Sequence, residues 1–182
     1  MRDYSRAAHL YEMRYTEEQH LKIKSVVEAL RSGKKKPAAK KAAILDLGCG
    51  TGLLFPRLKT MARRIVGLDL SRKMLKEAGI SKADLGDVHF ILADADNTPI
   101  RDHQFDFVIA LTLLQNVPNP ERALQEAQRV AKEEGTLAVT GLKAHFTRRA
   151  FMRLLRKAKL EAKLLKTADD LKDHIAICRR CA

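Results

Sequence analysis

The stretch ILDLGCGTG, residues 44–52, decides the fold of this chain. An apolar run that contains Asp46 leads directly into a loop whose glycines stand at every second position. Glycine in place of alanine costs roughly 0.5–1 kcal/mol inside regular structure, so such a loop indicates that its backbone approaches another group closely. A buried strand that ends in a glycine loop and continues into a helix is typical of an open α/β sheet. In such sheets, ligands bind at the carboxyl ends of the strands.

The bulk composition is typical of one globular domain. The chain has 182 residues, of which 46% are hydrophobic, and this is enough for a sizeable core. No apolar run approaches the roughly 18–20 residues of a membrane span, and the N-terminal residues lack the apolar core of a signal peptide. We therefore expect a soluble, cytoplasmic protein with no membrane partner.

The three cysteines indicate neither a disulfide framework nor a metal site. Cys178 and Cys181 form a C-x-x-C pair, but the sequence has no second pair to complete the about four ligands that zinc needs. We expect no bound metal, with Cys178 as a small core residue and Cys181 as an incidental residue of the tail.

Along the chain, apolar strands alternate with amphipathic helices. The predicted strands cover residues 42–48, 64–70, 88–94, 105–113, 136–142, 161–166 and 173–180. The predicted helices cover residues 16–31, 52–62, 71–79, 119–135 and 147–160, with Thr16 and Thr147 as caps and Gly135 as a stop. This alternation predicts a doubly wound α/β fold. We expect a mostly parallel seven-stranded sheet with an antiparallel C-terminal edge strand and helices on both faces.

The formal charge of +13 is unevenly distributed. Residues 1–41, predicted to be a helical cap and a basic linker, carry eleven Lys/Arg against five Asp/Glu. Residues 146–182 carry eleven against four, whereas residues 42–145 are balanced at thirteen each. The basic excess at both ends indicates either an electrostatic footprint for phosphate groups or a well-solvated surface. The predicted ligand-binding domain covers residues 42–182.

The glycine loop could bind one of three classes of ligand, each of which has its own sequence motif. A P-loop requires G-x-x-x-x-G-K-[ST], which the sequence lacks, and a dinucleotide fingerprint requires G-x-G-x-x-G, where Leu53 replaces the third glycine. The third class is S-adenosylmethionine (SAM). The strings LDLGCGTG, VGLDLS, ADADNTP and FDFVIALTLLQNVPNP follow in this order from about residue 42 to residue 117. They resemble the motifs of the class I, Rossmann-like SAM-dependent methyltransferases.

The first motif implies a site for the methionine part of SAM. By resemblance to the family, Gly48, Gly50 and Gly52, with Cys49 between them, would bend around this part of the cofactor. Asp46 would lie near the ammonium group. The chain is then identified as a methyltransferase domain of the small type, with SAM as its cofactor.

The second and third motifs imply a site for the adenosine part. Asp69 would hold both ribose hydroxyls, and Leu70 and Met74 would flank the adenine. Asp94 would accept a hydrogen bond from the adenine amino group, and the amide of Ala95 would donate one to a ring nitrogen.

Other interpretations of these motifs stay open. Asp69 follows Gly48 by 21 residues, a spacing equally expected for the ribose of NAD. Asp94 and Asp96 also suit an ordinary turn. A nicotinamide enzyme and a general α/β binding module are therefore alternatives, although four ordered motifs at predicted strand ends favour the methyltransferase.

The segment after the fourth strand indicates where the acceptor binds. By the resemblance, residues 111–116, beginning with Leu111, would lie under the sulfonium. Gln115 and Asn116 could position a polar acceptor, or cap the strand and face solvent. The segment lacks the Asn/Asp-Pro-Pro-aromatic pattern that is common among family members acting on exocyclic amino groups. His145, after the fifth strand, is a second candidate for chemistry or an ordinary loop residue.

The charge distribution favours RNA as the acceptor. Arg149, Arg153 and Lys157, on a predicted helix near the active-site edge, could contact phosphates together with the basic N-terminal segment. A small molecule or a protein side chain is the alternative acceptor, and a non-catalytic SAM-binding assembly factor is the alternative function. Some relatives of this size need a small activator subunit, so such a partner is also expected.

Overall fold

The computed structural model describes residues 2–32, 42–80, 86–167 and 171–181. The strands are β1 (Ala42–Leu47), β2 (Ala62–Asp69), β3 (Val88–Leu92), β4 (Phe105–Ala110), β5 (Ala131–Leu142), β6 (Leu160–Leu164) and β7 (Asp173–Arg180). The helices are α1 (Arg2–Ser32), α2 (Phe55–Leu58), α3 (Arg72–Ile80), α4 (Pro120–Val130) and α5 (Arg148–Lys157).

The strands form one sheet in the order β3-β2-β1-β4-β5-β7-β6. The pairs from β3 to β5 are all parallel, whereas β7 lies antiparallel between β5 and β6. The predicted fold class is confirmed, with the antiparallel pairing at the C-terminal end of the sheet. The strand order reverses its direction between β1 and β4, and this is the point at which open α/β sheets bind ligands.

Helices cover both faces of the sheet because successive strand residues point to opposite sides. On one face, Val26 and Leu30 of α1 pack with Ile44 and Ile109, and α2 and α3 add to the same cluster. On the other face, α4 and α5 pack against Leu45, Val108 and Leu137, among others. Every residue of β1 is buried, so the strand that carries the glycine loop is the rigid centre of the domain.

Helix α1 begins at Arg2, fourteen residues before the predicted start at Thr16. The predicted N-terminal cap was wrong, because a capping residue marks the start of a helix only where the residues before it favour a structure other than a helix. Residues 2–15 contain no glycine or proline and many good helix formers, so the helix continues through Thr16. The predicted basic linker, residues 34–41, lies outside the described residues.

Helix α2 is a single turn, whereas the sequence predicted a helix over residues 52–62. Ala62 already belongs to β2, where it pairs with Ala42 of β1. The amide of Ala42 also donates a hydrogen bond to the carbonyl of Met61 at 2.8 Å. Strand pairing on this side of the sheet therefore leaves little room for the helix.

The boundary between α4 and β5 also differs from the prediction, which placed a helix stop at Gly135. The helix ends at Val130 because Ala131 has extended backbone and pairs with Phe105. Gly135 lies inside β5, where the register with β4 shifts between Phe105 and Phe107. The predicted glycine stop is in fact part of an irregular strand.

The N-terminal caps of α4 and α5 are formed by side chains, as their sequences indicate. Asn119 accepts a hydrogen bond from the amide of Arg122, and Thr147 accepts one from the amide of Ala150. The cap at Thr147 was predicted. Helix α5 ends at Lys157, since Lys159 has a left-handed backbone and Leu160 begins β6. None of the helices within the described ranges is long and apolar enough to cross a membrane.

Candidate functional site

A cavity of about 420 Å³ lies at the carboxyl ends of β1 and β4, where the strand order reverses. Asp46 and the glycine loop form its floor, and Leu111, Thr112 and Asn116 line it from the β4 side. Met74 of α3 and Gln19 and Ile23 of α1 close it from above. The volume falls within the range of about 300–1,000 Å³ that is usual for small-ligand sites.

The glycine loop crosses over the end of β2. The amides of Gly48 and Cys49 both donate to the carbonyl of Leu68, at 2.7 and 3.0 Å. Gly48 has a φ of 79°, and a Cβ atom there would lie 2.7 Å from Cδ1 of Leu113. Glycine is needed at this position both for its backbone conformation and for the close approach of the β4 loop.

Asp69 ends β2 beside the loop, and backbone amides fix its carboxylate. Oδ2 accepts from the amide of Gly50 and Oδ1 from the amide of Ser71, both at 2.8 Å. Each oxygen keeps a second lone pair, so the carboxylate is pre-oriented to accept two further hydrogen bonds. This is the geometry that two neighbouring hydroxyl groups require.

Asp46 is a buried carboxyl group in the cavity wall, with 3% of its surface exposed. Burial raises the pKa of Asp46 to about 7, and the negative charge of Asp69 adds to this effect. A cation bound in the cavity would lower this pKa again, because it would favour the ionised carboxylate. The site is therefore suited to a ligand that carries a positive group.

The loop after β3 presents Asp94 and Ala95 at the same edge of the sheet. Oδ1 of Asp94 accepts from the amide of Asp96 at 3.3 Å and so caps its own turn. The carbonyl of Asp96 accepts from Nε of Arg122 at 2.9 Å, which ties this turn to α4. Leu70 is 71% exposed and Met74 42% exposed, so two large apolar side chains flank this edge.

The segment after β4 is held by an irregular backbone at Thr112. The strand ends at Ala110, not at residue 113 as predicted, and Thr112 has a φ of 55°. Its amide donates to Oγ1 of Thr140 at 2.8 Å, and its carbonyl accepts from the side-chain amide of Asn116 at 2.6 Å. A β-branched residue in the left-handed region is rare, and the few examples are concentrated at functional sites.

The structure brings together only part of the predicted site in the cavity wall. The predicted residues that line the cavity are Asp46, Gly48, Cys49, Gly50, Met74, Leu111 and Asn116. Asp69, Leu70, Asp94 and Ala95 lie beside it at the ends of β2 and β3, and Gly52 lines a neighbouring groove. Gln115 is outside the wall, and its buried Oε1 has no hydrogen-bond partner within the described part of the chain.

The sequence indicated that residues 1–41 could cover the site and that residues 111–116 lie in it, but it did not single out Gln19 and Ile23 or the left-handed backbone of Thr112. The spacing of Ile23 with Val26 and Leu30 predicted burial, but it could not tell the carboxyl end of the sheet from its middle. Gln19, a polar residue buried on this face, was the available signal. Nothing in the residue type of Thr112 indicated a left-handed backbone.

The remaining candidates lie outside the cavity wall. His145, Arg149 and Arg153 are exposed in or just after the loop that follows β5. Cys178 is buried, which raises the pKa of its thiol to about 12, and Cys181 is exposed. No cluster of His, Cys, Asp and Glu among the described residues could hold a metal ion.

Comparison with known proteins identifies the class of this domain. Residues 45–139, more than half of the chain, match the family model described as "Methyltransferase domain". The demethylmenaquinone methyltransferase of Thermotoga maritima is 38% identical over 108 residues, which cover 58% of this chain and 46% of that protein. The chain spans about half the length of the curated relatives it matches.

Solved structures share the fold at lower identity. The magnesium protoporphyrin IX methyltransferase of Synechocystis, solved with bound SAM, is 20% identical with a TM-score of 0.73; the match covers 92% of this chain and 81% of that one. A chain from the complex between a Haloferax volcanii methyltransferase activator and a methyltransferase is 16% identical, also with a TM-score of 0.73. That match covers 94% of this chain and 96% of that one.

Proposed function

Because this chain belongs to the methyltransferase domain family and has the fold of SAM-dependent methyltransferases, we propose that it transfers the methyl group of SAM to a nucleophilic acceptor. The observation that carries the proposal is the pair of carboxylates at the ends of adjacent strands. Asp46 is buried in the wall of the cavity, and Asp69 is pre-oriented by two backbone amides beside it. These two groups match the ammonium and the ribose of the cofactor.

We propose that these residues hold SAM along its whole length. Asp46 would accept from the ammonium group, and the loop from Gly48 to Gly52 would lie against the methionine part. Asp69 would accept from both ribose hydroxyls. The adenine would be placed against the exposed apolar surfaces of Leu70 and Met74, whose exposure is otherwise unfavourable.

Bound SAM supplies an electrophilic methyl group on a positively charged sulfur, which an acceptor lone pair displaces in line. The chain contributes by positioning the reactants and by excluding water. Helix α1 covers the cavity through Gln19 and Ile23, and the segment after β4 forms the opposite wall. Gln115 and Asn116 carry amides that do not titrate, so their proposed part is to orient the acceptor.

Calorimetric titration with SAM and with NAD tests the choice of cofactor. We expect the wild-type chain to bind SAM and to prefer it to NAD. Replacing Asp69 by alanine should weaken SAM binding by roughly 2–4 kcal/mol, since a charged acceptor of two hydrogen bonds is lost. Asp94→Ala should cost more affinity than Asp96→Ala, its matched control in the same turn. Tighter binding of NAD than of SAM would overturn the proposal.

For the acceptor, we propose RNA. The support is electrostatic, because the basic excess lies at the two ends of the chain and the central residues 42–145 are neutral. On α5, Arg149 and Arg153 are exposed and have no ion-pair partner among the described residues. Side chains of residues 1–16 and the whole of residues 33–41 lie outside the described residues, so the basic N-terminal segment stays a prediction from the sequence.

A small molecule is the second candidate acceptor, favoured by the name of the Thermotoga maritima relative. Transfer of a labelled methyl group from SAM onto total RNA, total protein and a small-molecule extract separates the candidates. We expect the label in RNA. Label confined to the small-molecule fraction would replace the RNA proposal and leave methyl transfer intact.

We also propose that an activator subunit binds this chain, since the matched Haloferax volcanii chain comes from a complex with one. The test is SAM binding and thermal stability of the chain alone and after co-purification with a co-expressed activator. Equal values in both preparations would contradict this proposal.

A further inference from the structure

The strongest feature outside the predicted site is a buried ion pair between α1 and β7. Nζ of Lys22 lies 2.6 Å from Oδ2 of Asp173, and the two side chains are 2% and 1% exposed. Removing two charges from water is costly, and a buried pair of this kind is weak evidence for stability. We therefore consider a role for this ion pair other than stabilising the fold.

The ammonium group of Lys22 also reaches the wall of the cofactor cavity. It donates to Oγ1 of Thr112 at 3.1 Å, and Thr112 lines the cavity from the β4 side. On α1, Gln19 lies one turn before Lys22 and Ile23 directly follows it, and both line the cavity. Lys22 thus connects α1 to the segment after β4, two elements that both line the cavity.

The contact at Thr112 acts on an irregular backbone. Three hydrogen bonds converge on this residue: from Lys22 to its hydroxyl, from its amide to Thr140, and from Asn116 to its carbonyl. Together they hold the left-handed conformation that turns the chain away from β4. Leu111 packs against the apolar cluster that includes Ile23 and Val26 of α1, and the bond from Lys22 adds a polar connection between the same two elements.

We propose that Lys22 is a positioning residue for the cofactor, which sets the distance between α1 and the segment after β4 through the hydroxyl of Thr112. Asp173 neutralises its charge, so the ammonium acts as a hydrogen-bond donor at the cavity without adding net charge beside the sulfonium. This inference rests on the proposed function, since it concerns the SAM site.

The test compares two substitutions of Thr112, one that keeps its hydroxyl group and one that removes it. Thr112→Ser keeps the hydroxyl and loses the methyl group, whereas Thr112→Val keeps the branched shape and loses the hydroxyl. We expect the valine variant to bind SAM at least fivefold more weakly than wild type, and the serine variant to stay within twofold. SAM affinity is measured by calorimetry, and the folded state by circular dichroism and thermal unfolding.

A matched control exists at the C-terminal end of α1. Nη2 of Arg31 donates to Oγ1 of Thr60 at 2.6 Å, a second bond between a cation of α1 and a threonine hydroxyl, away from the cavity. Thr60→Val should leave SAM affinity unchanged. The double variant Lys22→Met, Thr112→Val should bind SAM no more than twofold more weakly than the weaker single variant, because both changes remove the same contact.

Several outcomes would overturn the inference. A folded Thr112→Val variant that binds SAM as wild type does would show that the bond only supports the fold. The same holds if Thr112→Ser is as weak as Thr112→Val, or if Thr60→Val weakens binding equally. Failure of the wild-type chain to bind SAM would instead overturn the proposed function, so the two failures are distinct.

Discussion

Asp46 is buried, yet its proposed role toward the ammonium group of SAM needs a negative charge. The pH dependence of SAM binding therefore tests this role. With the pKa of Asp46 near 7, the free site is largely protonated at pH 6. A bound ammonium group favours the carboxylate, so SAM affinity should rise up to about tenfold per pH unit below 7 and level off above it. Titration calorimetry from pH 5.5 to 8.5 measures this. Asp46→Asn should bind SAM more weakly with a flat pH profile, and a flat wild-type profile would contradict the assignment.

The stability of the chain should depend on pH in the opposite direction to its SAM affinity. The pKa of Asp46 is raised from 3.8 to about 7 in the folded chain, so the folded state holds a proton that the unfolded state loses between these pH values. The free energy of unfolding should therefore fall as pH rises through this window. At pH 8, Asp46→Asn should be more stable than wild type by up to about 4 kcal/mol. Urea unfolding at pH 4 and pH 8 measures the difference, which should vanish at the lower pH.

Two glycines of the loop differ in what surrounds them, and the difference can be measured. Gly48 and Gly50 both have positive φ, so alanine costs about 1–2 kcal/mol of backbone strain at either position. Only at Gly48 would the new Cβ meet Leu113, whereas the space beside Gly50 is open. Gly48→Ala should therefore lower the free energy of unfolding more than Gly50→Ala, by about 1 kcal/mol or more. Equal losses in denaturant unfolding would mean that Leu113 moves aside freely.

At the scale of the elements, Glu126 of α4 anchors the loop that follows β3. Its Oε2 accepts from the amide and the hydroxyl of Thr98, each at 2.8 Å, and Arg129 binds both of its oxygens. The hydrogen bonds from Arg129, with those from Thr98, lower the pKa of Glu126 to about 2. The stabilisation is therefore present above about pH 4.5 and is lost as the pH falls towards 2.

Glu126→Gln should lower the free energy of unfolding at pH 7 by roughly 1–3 kcal/mol, and the difference from wild type should shrink towards pH 2. The matched control is Glu133→Gln, which changes an exposed carboxylate of β5. Thermal unfolding across this pH range measures both variants. A loss at Glu126 that does not depend on pH would mean that side-chain packing, not charge, holds the loop.

The elements also show what the sequence can and cannot predict. Periodicity predicted every strand and the buried face of α1, because a single face of each element decides burial. It failed where pairing partners decide the outcome, as at Ala62, which extends β2 into a predicted helix. The motifs predicted that the glycine loop and the segment after β4 meet at one site, and residues of both line the cavity. The roles of these residues stay a prediction. Lys22 and the left-handed backbone of Thr112 could not be predicted, since they depend on contacts between distant parts of the chain: Lys22 and Thr112 are 90 residues apart, and the ion-pair partner of Lys22 is Asp173 on β7.

For the whole molecule, the strand order gathers every loop of the proposed site at one edge of the sheet. The loops after β1, β2, β3, β4 and β5 all lie at the carboxyl end, and α5 begins there directly after the last of them. A large acceptor at this edge would therefore meet the first turns of α5. Arg149 and Arg153 are exposed there, whereas Lys157 is already 3.7 Å from the carboxylate of Glu121.

The RNA proposal predicts a change in salt dependence. If Arg149 and Arg153 contact phosphates, replacing both by alanine should reduce the slope of log affinity against log salt by about 1.4–1.8, from about 0.7–0.9 per contact. The control replaces Arg63 and Arg101, exposed residues at the amino-terminal edge of the sheet, and removes the same net charge. Affinity for total RNA is measured from 50 to 300 mM salt. SAM affinity should be unchanged in both variants, because neither pair lines the cavity. If the slope of log RNA affinity against log salt is equal in the two variants, Arg149 and Arg153 contribute no more to RNA binding than other exposed arginines. The small-molecule acceptor would then be the better proposal.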